Sequence, residues 1–444
     1  MNLLFLKSFL RKKLHLETRQ FVKNSSWILG SNLVREFLVF LRSIVIARGL
    51  GVEFYGIYAM IVAFVMAIQE VLNLNIGTPF TKFGAEFKTE NRIDKLAALL
   101  KGCALAAFVS SLASIVLIAL LASLSYNVFF QKPGLHWFIV LFAISSATTF
   151  FDFLSTSLLR LYYKFKLNSI ISIIMAVIEF LIVVTVIFVF PKNIFAFILA
   201  VVSARILNSA ICNGIVFWEL RHELGPFLKV KMSVLRGHWK EIGKFTVNNS
   251  LSRTVWVFIN RADVLLLGAL FGPVQVAYYN IGKRLANSIS IITAPLATSI
   301  YPQLALLISK KNIADLKKLV FQLTKMLIVP ALLFMIVMFF IKEPFITILY
   351  GKEFYQSASP FFFLILNAVL NAVFFWSLYL VVSLGMVAFR LWVYVAALVL
   401  GAATALLLVR FQATGMAVAL LTANCFILFM FNFFAFKKLK LVSA

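Results

Sequence analysis

Apolar residues run through this chain in stretches of twenty or more, and the breaks between them are short and rich in Lys, Arg, Asn, Gly and Pro. A helix needs about 20 such residues to cross the hydrocarbon core of a bilayer. The pattern predicts six spans near 24–50, 55–81, 96–126, 135–159, 168–190 and 194–218, and six more near 241–271, 275–308, 314–341, 357–384, 390–410 and 414–436. The expected fold is all-α, a polytopic membrane protein of about twelve transmembrane helices in two pseudo-symmetric six-helix bundles around a central cavity. Its parts are an N-terminal segment (1–20), a first bundle (21–220), a polar linker (221–240) and a second bundle (241–444). In the N-terminal segment Leu3, Leu6, Leu10 and Leu14 recur at helical spacing while Lys7, Arg11 and Lys12 can reach headgroups, the pattern of an interfacial amphipathic helix.

Composition agrees with a bilayer as the main solvent. The chain is 62% hydrophobic and 13% charged, where a soluble domain keeps about a quarter of its residues charged. The net charge of +26 would suggest nucleic acid in a soluble protein. Here most basic residues stand in the segments between spans, where they set topology and meet anionic lipid, so a nucleic-acid partner is excluded. Alternate segments hold 27 and six of them, which puts both termini in the cytoplasm. Cys103, Cys212 and Cys425 stand singly and the four histidines are scattered, so no disulfide framework, metal site or cofactor is expected. The outer loops are short and none holds paired carboxylates, which argues against an enzyme.

The halves match at a constant offset of 221 residues: Gly51 with Gly272, Tyr58 with Tyr279, Asn91 with Asn312 and Asp94 with Asp315. Six spans per half make such repeats parallel, related by an axis along the membrane normal, as in many transporters.

Charges inside spans are costly, about 2.5–3.5 kcal/mol each at a helix centre, and mark partners or aqueous cavities. The first span carries Arg35, Glu36 and Arg42, the seventh Arg253, Arg261 and Asp263, and the eighth Lys283 and Arg284. By depth, Asp263 comes level with Lys283 or Arg284, and Glu70 with Arg35. Arg42, Arg253, Arg261 and one of Lys283 and Arg284 are left with no evident carboxylate. Such cations suit an anionic ligand, because the planar guanidinium fork holds two phosphate oxygens at once. The competing role for arginines is snorkelling or bonding to helix carbonyls, and this is the expectation for Arg48, Lys132 and Arg410 at span ends. Glu70, Asp152 and Asp263 are the ion-coupling candidates, for a proton or sodium, because a carboxylate in a low dielectric holds its proton more tightly.

Ala47-Arg48-Gly49-Leu50-Gly51-Val52-Glu53-Phe54-Tyr55-Gly56-Ile57-Tyr58 resembles the turn after the first helix in Wzx-type flippases, the polysaccharide transporters of the multidrug/oligosaccharidyl-lipid/polysaccharide (MOP) superfamily. Leu159-Arg160-Leu161-Tyr162-Tyr163-Lys164-Phe165-Lys166 is similar to that family's turn between the fourth and fifth helices. The resemblance implies a flippase in a bacterial inner membrane that moves an undecaprenyl-pyrophosphate-linked oligosaccharide outward by alternating access, for O-antigen, lipopolysaccharide or related glycans, alongside other polysaccharide assembly proteins. It also implies a cationic central cavity, for which Arg35, Arg42, Arg253, Arg261, Lys283 and Arg284 are the candidate substrate-binding residues. The alternative is a cation-coupled multidrug exporter of the same superfamily, whose cavity would be acidic or apolar.

Overall fold

The structure is a computed structural model that describes residues 16–125, 135–224, 229–310 and 312–443, without the side chains of residues 16–25, 251–260 and scattered others. Most of the N-terminal segment read as amphipathic therefore lies outside the described residues, as does Lys132. Among the described residues the regular elements are all helices. Besides three short 3-10 turns (Met232–Leu235, Lys352–Ser357 and Val409–Phe411), they are α1 (Leu16–Leu72), α2 (Gly77–Thr89), α3 (Ile93–Ser125), α4 (Leu135–Ala147), α5 (Thr149–Leu161), α6 (Phe165–Val189) and α7 (Ile194–Leu224), then α8 (Trp239–Asn287), α9 (Ile289–Ser309), α10 (Ile313–Tyr350), α11 (Ala358–Val373), α12 (Trp376–Ser383), α13 (Val387–Leu407) and α14 (Gln412–Ser443). Helices suit these sequences because lipid supplies no hydrogen-bond partner, so each span must satisfy its own backbone.

Ten helical stretches among the described residues are long and apolar enough to cross a membrane. The sequence pattern predicts about twelve. One of the ten, Ser26–Thr89, runs through both of the first two predicted spans, and the predicted eighth span is interrupted at Ser288 between α8 and α9. Several stretches turn apolar side chains outward over most of their surface, as a lipid-facing helix does: Phe188 is 79% exposed on α6 and Leu407 80% on α13. In water such faces would drive aggregation. The chain is a multi-pass membrane protein.

Breaks in the helices recur at the spacing read from the sequence. Gly51 breaks α1 with φ 75° and ψ 175°, and Gly272 breaks α8 with φ 74° and ψ −172°. This left-handed, extended conformation suits a residue without a Cβ. Beyond the next predicted span, the Arg92 N–H bonds the Phe87 carbonyl at 2.9 Å and the Asn312 N–H bonds the Leu307 carbonyl at 2.9 Å. In the following turns the Lys164 N–H reaches Leu159 O at 2.8 Å and the Met386 N–H reaches Val381 O at 3.1 Å, each just after a residue of positive φ, Tyr163 and Gly385. These are helix C-caps of the αL kind. All three pairs stand within one residue of the 221 offset.

The chain folds as two compact units, one built chiefly from residues 65–123 and 136–257 with the helix before residue 44, the other from 44–64 and 258–444. The first has a core of Phe80, Phe83, Phe87, Leu96, Leu99, Leu158 and Leu220, all nearly inaccessible. In the second, Leu304, Leu316, Val320, Leu380 and Leu439 form the corresponding core. Leu96 and Leu316, Leu158 and Leu380, and Leu220 and Leu439 again stand close to 221 apart.

In the second unit the segment 44–64 packs on residues of the C-terminal half. Arg48 Nε donates to Leu349 O at 2.8 Å, and its Nη2 donates to Ile348 O. Both carbonyls belong to the last turn of α10, where acceptors lack a helical partner and the dipole is negative. Arg48 thus bonds helix carbonyls, one of the two roles expected for it. Gly56 lies so close to Pro273 that a Cβ would stand 1.9 Å from the proline carbonyl oxygen. The two family-like turns are therefore held by specific contacts, the other one through Lys164, which pairs with Glu219 at 2.8 Å, and through Lys88, whose ammonium sits 3.7 Å over the Tyr162 ring.

Candidate substrate and coupling sites

Beyond the break at Gly272 the chain of α8 doubles back, so residues before and after the glycine lie side by side. Asp263, nine residues before it, meets Lys283, eleven after it, with 2.5 Å between Oδ2 and Nζ. The Tyr279 hydroxyl donates to the same oxygen at 2.6 Å, and the Val264 N–H to Oδ1 at 2.8 Å. The carboxylate is 8% exposed and the ammonium 19%. Burying two charges costs several kcal/mol per ion, which is recovered only when geometry is good and the remaining lone pairs are bonded. Here both oxygens are satisfied.

Arg261 stands two residues before Asp263 and Arg284 one after Lys283. Among the described residues no carboxylate lies within 4 Å of either guanidinium. This hairpin therefore carries three cations against one internal anion.

The other sequence candidates are distributed differently. Arg42 on α1 forms an ion pair with Glu179 on α6, inside the first unit. Depth along the helices had offered Arg42 no carboxylate, because Glu179 is remote in sequence and only packing brings it close. Arg35 pairs with its neighbour Glu36 at 2.8 Å, which differs from the expected level match with Glu70. Glu70 instead accepts from Asn73 Nδ2 at 3.5 Å. The helix that carries Arg253 is described and its side chain is not.

Asp152, in the first turn of α5, is met by two residues of α7. Ser209 Oγ donates to Oδ1 at 2.6 Å and Asn213 Nδ2 at 3.2 Å. Asn213 Oδ1 in turn accepts from Ser155 Oγ. The second unit holds a counterpart of this last contact, Ser377 Oγ to Asn432 Oδ1 at 3.1 Å, with no acid beside it. The cluster offers a carboxylate, hydroxyls and an amide oxygen, hard donors that suit a proton or a small cation. Among the described residues no three His, Cys, Asp or Glu come together as a metal-binding group.

Sequence reasoning placed Asp263 with Lys283 or Arg284 from depth alone, and the pair is with Lys283. It missed Tyr279, Ser209 and Asn213 as partners. The match of Tyr58 with Tyr279 was a signal, although it marked a turn and not a hydrogen bond. At the same offset Arg42 corresponds to Asp263, so one position is cationic in the first half and anionic in the second.

Comparison with known proteins agrees with this architecture. The family described as "Polysaccharide biosynthesis protein" matches residues 21–308. No curated protein matches the chain. Among solved structures, a multidrug resistance MATE family transporter of the MOP superfamily in its inward-facing conformation is similar at TM-score 0.68 and 12% identity, over 92% of this chain and 95% of that one. The eukaryotic MATE transporter AtDTX14 is similar at TM-score 0.57 and 15% identity, over 96% and 98%. A mutant of the Vibrio cholerae MATE transporter VcmN is similar at 0.54 and 18%, over 95% and 97%. Identities this low carry the fold and no more.

Proposed function

The chain belongs to the polysaccharide biosynthesis protein family, a membrane transporter family of the MOP superfamily, and from that premise we propose that it flips a lipid-linked oligosaccharide across a bacterial inner membrane. The cargo in this reading is an undecaprenyl-pyrophosphate-linked glycan, carried outward by alternating access, with both termini of the chain in the cytoplasm. No bond is made or broken. The observation that carries the proposal is the cationic surplus of the Gly272 hairpin, where Lys283 is held by Asp263 and Arg261 and Arg284 have no carboxylate among the described residues. A pyrophosphate bears the opposite charge and matches a guanidinium fork. The Asp263–Lys283 pair positions the two arginines, and Arg42, Arg35 and Arg253 are further candidates.

Two readings compete within transport. A cation-coupled multidrug exporter would share the fold, and the Asp152 cluster is the feature that favours it, since a buried carboxylate among hydroxyls can take up a coupling ion. In a flippase the same cluster supplies the coupling of glycan movement to a proton or sodium gradient.

The test uses the full-length protein in a bacterial host lacking its own flippase, with surface glycan and resistance to cationic dyes both measured. Arg261→Ala and Arg284→Ala are expected to cut surface glycan at least tenfold, since each removes a charge-assisted contact of about 1.5–3 kcal/mol, while the amount of protein in the membrane stays unchanged. Lys in place of each arginine separates charge from fork geometry. Glycan export that survives both alanine changes, or dye resistance without glycan export, would reject the flippase.

A further inference from the structure

On the second unit a cavity of about 1210 Å³ opens between α10, α11, α12 and α14. Its floor is Val320 and Trp376, both buried, and its rim is Phe321, Phe429 and Phe433, 69%, 63% and 53% exposed. These phenylalanines lie on helices that face lipid, so the opening is lateral, into the bilayer. The polar groups along it are already bonded to protein: Trp376 Nε1 donates to Thr324 Oγ1 at 3.0 Å, and the Asn432 amide is tied to Ser377 and to Leu428 O. They offer little to a sugar. What remains is an apolar slot, open on one side, of the kind that takes hydrocarbon.

One end of the slot is different. Lys317 and Lys318 on α10 and Lys437 on α14 line it there, and among the described residues no carboxylate lies within 4 Å of any of them. These lysines belong to the basic segments between spans, where headgroups reside. A basic mouth on an apolar slot between membrane helices has the charge and the shape to complement an anionic lipid.

We propose that this cleft is a binding site for one anionic phospholipid of the surrounding leaflet, its phosphate held by Lys317, Lys318 and Lys437 and its chains laid along Phe321, Phe429 and Phe433. The site is separate from the Asp263 hairpin and stands whether or not the cargo is a glycan. It fills a groove that would otherwise leave α10 and α14 poorly packed against each other.

Native mass spectrometry of the full-length protein, equilibrated with vesicles of equal parts phosphatidylglycerol and phosphatidylethanolamine, reads which lipid is retained. Phosphatidylglycerol is expected to dominate. Each lysine near the phosphate contributes about fivefold in affinity, so K317Q/K318Q/K437Q is expected to lose on the order of a hundredfold. These side chains lie at the surface, so the triple variant keeps its fold. Cys425→Trp fills the slot without touching charge, and it too is expected to lower retention. Equal retention of both lipids, or no effect of the triple variant, overturns the proposal. So does loss with the lysine changes and none with Cys425→Trp, which would mean a phosphate held without chains in the slot. A further arm adds undecaprenyl phosphate, and its retention in preference to phosphatidylglycerol would overturn the phospholipid assignment and give the cleft to a polyprenyl tail.

Discussion

Tyr279 and Lys283 end on the same oxygen of Asp263, and that shared acceptor decides how the site responds to change. Tyr279→Phe removes one donor and leaves the ion pair, so its cost should be about 1.5–3 kcal/mol, the worth of a hydrogen bond to a charged group. Lys283→Met should cost more, about 3–5 kcal/mol, because it strands a buried carboxylate. Adding Asp263→Asn to Lys283→Met should recover much of the loss. Thermal unfolding of the detergent-solubilised protein measures all three, and a double variant no better than Lys283→Met alone would show that the carboxylate is not the source of the damage. Arg48 follows another rule, since its partners are carbonyls. Arg48→Lys keeps the charge and loses the two-pronged grip on Leu349 and Ile348, so it should behave like Arg48→Gln and not like the parent.

At the scale of the element, the glycine breaks carry the design. Gly56→Ala pushes a Cβ into the Pro273 backbone, where neither side can yield cheaply, and should lower folded yield sharply. Gly30→Ala, with nothing within 4 Å of the added carbon, should stabilise its helix by up to about 1 kcal/mol. Yield and unfolding temperature of the two variants compare a close approach with an open one. Helices, their approximate ends and the doubled turns could be read from the sequence because hydropathy and glycine leave local marks. The broken interiors were harder. The interruption at Asn73–Ile76 has no proline at its centre and depends on Asn75 adopting φ 44° with its N–H on the Asn73 side chain, a local hydrogen bond that hydropathy does not register. Partners such as Glu179 for Arg42 and Asn213 for Asp152 come from helices far apart in sequence, and only packing reveals them.

For the whole molecule, orientation is the property that charge counting predicts and that a reporter can measure. Fusions placed after residue 226 and after residue 440 should report from the cytoplasm, and insertions near Lys192 and Arg410 from the opposite face, given 27 basic residues against six. A fusion after residue 226 that reports from outside would invert the proposed direction of transport. The position shared by Arg42 and Asp263 has a consequence for how such a chain came to be. Its backbone landmarks recur in duplicate, yet there, as at Glu90 with Lys311 and Lys132 with Glu353, the two halves hold opposite signs. A protein assembled from two first halves would place arginine at both positions, and one from two second halves aspartate at both. A symmetric dimer of half-length chains could therefore keep the scaffold and could not keep the polarity, so one polypeptide is what allows Arg42 to pair with Glu179 in one half while Asp263 pairs with Lys283 in the other.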